Sequence, residues 1–149
     1  MNITPFDDNY FMKQAYLEAQ KAFAADEIPI GAVIVANNQV IARAHNLTEQ
    51  LTDVTAHAEM QAITAAANQL GGKYLKGCTI YVTLEPCCMC AGALAWSQID
   101  RVVFAAKDEQ RGALRVKPSL FHPKTILENG PMEKECSDLI KMFFESKRK

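Results

Sequence analysis

The stretch CTIYVTLEPCCMCAGALAWSQIDRVVFAA, residues 78–106, decides the fold. Its first part, Cys78 to Leu84, is a continuous apolar run of the kind found in strands that are buried on both faces. Pro86 suits the first turn of a helix, which we expect to run to about Trp96. Ile99 to Ala106, which is apolar apart from Asp100 and Arg101, predicts the next strand. The stretch therefore predicts two strands joined by a crossover helix.

The residues before this stretch predict a helix followed by a hairpin. Apolar side chains recur at helical spacing between residues 8 and 26, and Pro29 prevents the helix from continuing. The short runs Ile30–Val35 and Val40–Ala44 are rich in β-branched residues. Asn37-Asn38 between them tolerates the positive φ of a tight turn. We therefore expect an antiparallel pair of strands.

A second helix is predicted between the hairpin and the quoted stretch. Thr55 is a suitable N-cap, and Gly71-Gly72 would stop the helix after Leu70. This helix and the one that Pro86 opens both begin at one end of the predicted sheet. Ligands of open α/β sheets usually bind at such an end.

The last third of the chain is less regular. We expect a loop over residues 107–124 with room for a short helix, a fifth strand at Thr125–Leu127 and a final helix at Pro131–Ser146. Helices that alternate with strands require crossover connections, so the sheet must be mixed and covered on both faces. We therefore predict one α/β domain over residues 1–149, with a mixed five-stranded sheet between two helical layers.

Composition and charge limit the class of protein. The 149 residues are 49% hydrophobic and 22% charged, which is typical of a soluble globule. No apolar run reaches the roughly 18 residues of a membrane span, and the first residues lack the features of a secretory signal, so we expect a cytoplasmic protein with no membrane partner. The net charge of −1 combines −4 over residues 1–106 with +3 over residues 107–149. A basic last third suits an anionic partner, although a solvated helix face gives the same count.

The cysteines give the first indication of chemistry. Three of the five, Cys87, Cys88 and Cys90, are crowded into four positions, while Cys78 and Cys136 stand alone. Such a cluster in a chain without a secretory signal indicates metal or redox chemistry rather than disulfides.

A second motif, His57-Ala58-Glu59, stands at the start of the other crossover helix. Cys87 and Cys90 are three residues apart on a first helical turn, so they face one side while Cys88 points away. His57 can supply a third ligand from the neighbouring helix. Thiolate and imidazole suit zinc, and three protein ligands leave a fourth position for water, as in catalytic zinc sites. Glu59 is placed to take a proton from that water.

The alternative is a structural zinc site in a nucleic-acid-binding module, closed by a fourth protein ligand. The sequence offers candidates for that ligand: Cys88, Cys78, His45, His122 and Cys136. The joined pattern H-x-E and P-C-x-x-C, about 28 residues apart, is more restrictive than C-x-x-C alone, and it is the signature of zinc-dependent nucleobase deaminases.

The run from Tyr81 to Arg101, followed by VVFAAKD, closely resembles the bacterial tRNA-specific adenosine deaminases. The likeness extends to further segments: Glu27–Val33, Asn46, Thr55–Glu59, Glu135-Cys136 and Phe143-Phe144. The resemblance implies a three-layer α/β/α cytidine deaminase-like fold. It also implies a hydrolase that converts the wobble adenosine of a tRNA anticodon loop to inosine, with one Zn²⁺ per subunit, in a homodimer whose subunits both frame the RNA.

The resemblance also implies residue roles. His57, Cys87 and Cys90 are similar to the family's zinc ligands and Glu59 to its proton shuttle. The remaining implied roles belong to the base pocket: Asn46 hydrogen-bonds the purine edge, Ile28 forms an apolar wall, and the backbone N–H of Ala58 faces the bound water or the base.

These pocket residues also have plainer interpretations. Asn46 can cap the loop after the second strand, and Ile28 can belong to the core. Phe143 and Phe144 suit packing, although one of them is a candidate for stacking on a base. Three further expectations concern side chains outside the motifs: Trp96 is assigned to the core, Cys78, Cys88 and Cys136 to buried apolar positions, and Lys147-Arg148-Lys149 to a solvated end or a phosphate contact.

The sequence departs from the family pattern after the fourth strand. Many members have Gly-Ala-x-Gly-Ser where this chain has Gly112-Ala113-Leu114-Arg115-Val116, and the connection is shorter here. Because this segment is expected to touch the nucleic acid, a deaminase of a free nucleobase or nucleoside, guanine or cytosine/cytidine, remains the alternative function.

Overall fold

A mixed sheet of five strands forms the centre of the protein, in a computed structural model that describes residues 6–148. The strands are β1 (Gly31–Ala36), β2 (Gln39–His45), β3 (Cys78–Leu84), β4 (Arg101–Ala106) and β5 (Ile126–Asn129). Their order across the sheet is β2-β1-β3-β4-β5. β1 is antiparallel to both of its neighbours, whereas β3, β4 and β5 are parallel. The predicted sheet is confirmed, with strand ends shifted by two residues at most.

The hairpin between β1 and β2 turns at Asn37 and Asn38. Both residues have positive φ, 50° and 61°, and Ala36 pairs directly with Gln39. Two-residue hairpin loops of type I′ need positive φ at both central residues, which asparagine tolerates better than most side chains. The turn predicted from the Asn-Asn pair is therefore confirmed.

Four α-helices flank the sheet in the described part of the chain: α1 (Asp8–Ala24), α2 (Ala58–Leu70), α3 (Cys88–Ser97) and α4 (Glu133–Lys147). The loop between β4 and β5 contains the short 3₁₀ helix Ala113–Arg115. The predicted helices are thus all present. Within residues 6–148, none of them has the length and apolarity that a bilayer crossing requires.

The starts of α2 and α3 lie further along the chain than predicted. Thr55 is not the N-cap of α2, because its hydroxyl and its backbone N–H both donate to the Asp53 carboxylate; the N-cap position is held by His57, whose own backbone is extended. Pro86 also precedes its helix, whose N-cap position is held by Cys87. Neither His57 nor Cys87 makes a side-chain capping hydrogen bond. Both side chains therefore lie at the N-terminus of a helix without a role in capping it, so they are available for other contacts.

The helices form two layers, as predicted. On one face, α1 and α4 cover the sheet, and Val33, Val35 and Tyr81 pack with them. On the other face, α2 and α3 pack against Ile34 and Ile80. Because side chains alternate along a strand, β1 contributes to both cores and is buried throughout most of its length.

Gly31 fixes the start of β1 against α1. A Cβ atom at this position would lie 2.1 Å from the carbonyl oxygen of Ala15 and 2.5 Å from the backbone nitrogen of Ala19. The Gly31 N–H also donates to Oγ1 of Thr83 on β3, at 3.1 Å. The absence of a side chain lets helix and strand touch, which sets the position of the segment that enters β1.

The assignment of Trp96 to the core is wrong. Its side chain is 84% exposed and lies on the outer side of α3. The inner side is formed by other residues of the helix: Cys90, Ala91, Leu94 and Ser97. Because the sequence of α3 is apolar all round, its periodicity does not distinguish the buried face from the outer one.

Candidate metal centre and active site

The starts of α2 and α3 meet at one edge of the sheet. β2 and β3 run in the same direction, since each is antiparallel to β1. Each of the two helices begins beyond the carboxyl end of its strand, so their N-termini lie at the same end. The Leu47 N–H donates to the Ala56 carbonyl at 3.0 Å, which closes the connection to α2 and places His57 beside α3. The two helices therefore begin at the same end of the sheet, as predicted.

His57, Cys87 and Cys90 form a group with the geometry of a zinc site. Nδ1 of His57 lies 3.6 Å from Sγ of Cys87 and 3.5 Å from Sγ of Cys90, and all three ligand atoms lie within 4.8 Å of one another. In a tetrahedral site with Zn–S of about 2.3 Å and Zn–N of about 2.0–2.1 Å, the S···N edge is about 3.6 Å. The donor set and its spacing therefore fit Zn²⁺.

Protonation of the three groups is strongly interdependent. The hydrogen bond from Cys90, followed by that from His57, lowers the pKa of the Cys87 thiol to about 4. The same bond to Cys87, together with burial, raises the pKa of Cys90, which keeps its proton. The hydrogen bond with Cys87 also raises the pKa of His57. A divalent cation binds thiolates and neutral imidazole, so its binding here would displace the protons that these groups hold.

No fourth protein ligand completes the group among residues 6–148. Cys88 is half-buried and packs against the core, while Cys78 and Cys136 are buried, as expected. Burial raises the pKa of the Cys136 thiol to about 12, so it behaves as an apolar side chain. A three-ligand group suits a catalytic zinc site and counts against the structural zinc of the alternative hypothesis.

Glu59 lies in the first turn of α2, two residues after His57, and its side chain is almost fully buried. Burial raises the pKa of its carboxyl group to about 7. A buried carboxyl group beside a metal-ligating cluster, with a pKa near neutrality, has the properties of a general acid and base.

A cleft of about 840 Å³ opens beside the three candidate zinc ligands. The three pocket residues implied by the resemblance, Ile28, Asn46 and Ala58, all line it together with Glu59. Further lining residues come from the β4–β5 connection and α4: Lys107, Asp108, Gln110, Arg111, Ser137, Ile140, Lys141 and Phe144. The candidate residues, which are far apart in sequence, therefore share one cavity.

Asn46 caps the loop after β2, which is the plainer of the two interpretations offered for it. Its side chain is buried, and Oδ1 accepts a hydrogen bond from the Thr48 N–H at 3.3 Å, as in a loop cap. Because the oxygen is engaged in the loop, the amide NH₂ remains as a donor at the cleft wall. The side chain thus shapes its loop and lies in the wall of the cleft.

The two phenylalanines near the end of α4 differ in environment. Phe143 is buried and packs edge-on against Phe23, with ring centroids 5.9 Å apart. Phe144 is 41% exposed and lines the cleft, so it is the one available for stacking. Lys147 pairs with Asp26, while Lys149 lies outside the described residues.

Sequence analysis assigned no role to two buried glutamates, Glu27 and Glu85. Each carboxylate accepts two backbone N–H groups from a loop beside the cleft. Both residues stand in segments that carry the family resemblance, but their partners are at least 22 residues away in the chain. Nothing local in the sequence indicates such long-range bonds.

Known proteins with similar sequences are zinc-binding deaminases, which agrees with the geometry of this site. The zinc-binding region of cytidine and deoxycytidylate deaminases matches residues 5–106. A tRNA-specific adenosine deaminase of Aquifex aeolicus is 46% identical over 145 residues, which cover 93% of this chain and 95% of the relative.

Two solved structures are also similar. One, from a study of A-to-I editing by tRNA:A34 deaminases, superimposes with a TM-score of 0.83 at 41% identity and covers 88% of this chain and 99% of that one. The other, a guanine deaminase from Bacillus subtilis, has a TM-score of 0.65 at 39% identity and covers 68% of this chain and 65% of that one.

The fold, the zinc-ligand triad and these matches define the class: the chain belongs to the zinc-binding cytidine and deoxycytidylate deaminase family. Zn²⁺ is accordingly its cofactor, and hydrolytic deamination its class of reaction. Within that family it belongs with the tRNA-specific adenosine deaminases.

Proposed function

We propose that this enzyme deaminates the wobble adenosine of a tRNA anticodon loop to inosine. The observation that carries the proposal is the triad of His57, Cys87 and Cys90 beside Glu59, in a cleft whose outer part is lined by cationic side chains. The identity to tRNA-specific adenosine deaminases over nearly the whole chain supports the same substrate.

In this proposal, His57, Cys87 and Cys90 hold the zinc ion. A zinc ion held there would supply Lewis-acid activation of a water molecule, which adds to the purine carbon that carries the amine. Glu59 takes one proton from that water and delivers it to the adjacent ring nitrogen; it then takes the remaining proton from the hydroxyl group added to the carbon and passes it to the departing amine. The balance is one water consumed and one ammonia released, with the C–N bond broken and a C–O bond formed.

Three other residues hold the base. The amide NH₂ of Asn46 donates to an acceptor nitrogen of the purine, since its oxygen is engaged by Thr48. Ile28 provides an apolar wall. The backbone N–H of Ala58, at the first position of α2, has no intrahelical partner and can donate to the ligand.

The choice of RNA over a free base rests on the rim of the cleft. Lys107, Arg111 and Lys141 all line it and all come from the basic last third of the chain. Cationic groups at an open mouth suit phosphates that flank the reacting base. An unpaired anticodon base also enters a pocket at little cost in stacking.

The test is to incubate the purified zinc enzyme with an anticodon stem-loop RNA, adenosine, guanine and cytidine in parallel and to detect each deaminated product. We expect inosine in the stem-loop and little turnover of the free compounds. Guanine deamination is the second candidate, favoured by the 39% identity to a guanine deaminase. Turnover of guanine without turnover of the stem-loop would establish it instead.

We propose that the enzyme is a homodimer and that the outer face of α3 forms part of its interface. Trp96 is 84% exposed there, and Met89, Gly92 and Ala93 beside it are partly exposed, so this face is an apolar surface in contact with solvent. Dimer interfaces are rich in such aromatic residues. Sedimentation analysis should give a dimer for the wild type and a monomer for Trp96→Lys. A wild-type monomer would refute the interface.

Two further proposals concern organisation and location. We infer that residues 1–149 act as one domain, because a single sheet takes strands from residue 31 to residue 129. We also infer a cytoplasmic location, where the proposed tRNA substrate is found. Limited proteolysis that leaves one resistant core, and cell fractionation, test these two proposals.

A further inference from the structure

Glu27 anchors the loop that follows β2. Its side chain is fully buried, and its two carboxylate oxygens accept the backbone N–H groups of Glu49 and Gln50, at 3.0 and 2.7 Å. The same loop contains Asn46 and Thr48, which line the cleft. Glu27 therefore ties one rim of the cleft to the segment that enters β1.

Glu85 anchors the opposite rim in the same manner. It is 6% exposed, and its two oxygens accept the N–H groups of Asp108 and Leu114, each at 3.1 Å. Gly112 lies against this carboxylate, since a Cβ there would be 2.0 Å from Oε2. The loop also pairs with the ligand turn itself through a bridge between Gly112 and Cys87.

The two anchored loops carry the groups that the proposed RNA substrate would meet. The loop after β2 carries Asn46, and the loop after β4 carries Lys107 and Arg111. Both loops lack regular secondary structure except for one 3₁₀ turn, so hydrogen bonds must hold their course. In each loop, a buried carboxylate supplies two of those bonds.

We propose that Glu27 and Glu85 are positioning residues that hold the two rims of the cleft in their RNA-binding arrangement. A carboxylate offers an acceptor oxygen to each of two N–H donors, whereas a glutamine offers one oxygen and one NH₂ group. The isosteric change from Glu to Gln therefore breaks one bond of each pair and turns a donor towards a donor. The inference rests on the RNA substrate proposed above.

The experiment compares Glu27→Gln and Glu85→Gln with the wild-type zinc enzyme. For an anticodon stem-loop RNA, we expect KM to rise about tenfold while kcat changes less than about threefold. The reason is that the zinc ligands and Glu59 stay in place in both variants. The Kd of the same RNA, measured in a Glu59→Ala background, should rise in parallel. Zinc content should remain one per subunit.

Hydrogen exchange provides a readout that does not depend on the substrate. In Glu27→Gln, exchange should accelerate within residues 46–53 only, and in Glu85→Gln within residues 107–116 only. Glu128→Gln is the matched control, since Glu128 lies on β5, away from the cleft, and within residues 6–148 its side chain accepts only from the Arg101 side chain. It should leave KM, Kd and loop exchange unchanged.

A second variant displaces the same loop without changing Glu85, so that the result does not depend on the folding of one variant. Gly112→Ala leaves Glu85 intact but pushes the loop off its carboxylate, and it should reproduce the KM and Kd effects of Glu85→Gln. Unchanged Kd with accelerated exchange, or unchanged exchange, would overturn the inference while the function stands. Failure of the wild type on the stem-loop would instead overturn the proposed function and with it the RNA-binding role of the two glutamates.

Discussion

Nδ1 of His57 lies 3.5 Å from Sγ of Cys90, although 33 residues separate the two in the chain. The contact exists because β2 and β3 are parallel with β1 between them, so that α2 and α3 begin at the same edge of the sheet. The strand order therefore brings the three candidate zinc ligands together.

Cys90→Ser should abolish zinc binding, whereas Cys88→Ser should not. Cys90 points into the triad, while Cys88, two positions earlier, packs against the core. Serine is a far poorer zinc ligand than thiolate, and with one ligand lost the site keeps only two. Metal analysis of the purified variants measures the outcome. Full zinc occupancy in Cys90→Ser would contradict the ligand assignment.

Glu59→Ala should lower turnover by at least about 10²-fold and leave zinc bound. The carboxyl group is the only side chain assigned to move protons, and such a group typically contributes about 10²–10⁴-fold to the rate. The ligand triad does not include Glu59, so metal content should stay at one ion per subunit. Product formation from the anticodon stem-loop is followed together with metal analysis. Undiminished inosine formation by this variant would exclude Glu59 as the proton shuttle.

Gly31→Ala should destabilise the fold by about 1–3 kcal/mol. The added methyl group would collide with the backbone of α1 at Ala15 and Ala19, and backbone cannot move aside as a flexible side chain can. Gly72→Ala is the control, since nothing lies within 4 Å of a Cβ there. Urea unfolding of both variants measures the difference. Equal midpoints for the two would show that α1 and β1 can separate without cost.

Arg101→Met should reduce stability at neutral pH and have little effect in acid. Arg101 donates to Asp8 at 2.7 Å and to Glu128 at 2.9 Å. These hydrogen bonds lower the pKa of both carboxyl groups from their ordinary values of 3.8 and 4.5. Carboxyl groups whose pKa is lowered in the folded state stabilise it above the ordinary pKa, and this stabilisation disappears as the pH falls through the folded-state value.

The expected loss at pH 7 is about 1 kcal/mol, because all three side chains are partly exposed to solvent. The difference in unfolding free energy between wild type and variant should shrink as the pH falls below about 4. Denaturant unfolding at a series of pH values measures it. If the difference in unfolding free energy stays constant down to pH 3, packing of the aliphatic part of Arg101, rather than its charge, stabilises the contact with Asp8 and Glu128.

Much of the fold follows from local patterns in the sequence. The Asn37-Asn38 turn, the buried strand Cys78–Leu84 and the glycine stop after Leu70 all lie where the sequence predicts them. These features depend on neighbouring residues, so the sequence carries their information within a few positions. The starts of the helices are predicted less accurately than the strands. Thr55 donates to the Asp53 carboxylate, so α2 begins three residues after it.

The sequence by itself determined the chemistry of this protein: two cysteines three apart, a histidine and a glutamate two residues after it are enough to predict a zinc deaminase. Only the tertiary structure decided which groups surround that chemistry. Trp96 lies outside, Phe144 lines the cleft, and Glu27 and Glu85 hold its rims. Ligand identity is a property of single side chains and short spacings, whereas exposure and long-range hydrogen bonds arise only when distant segments pack together.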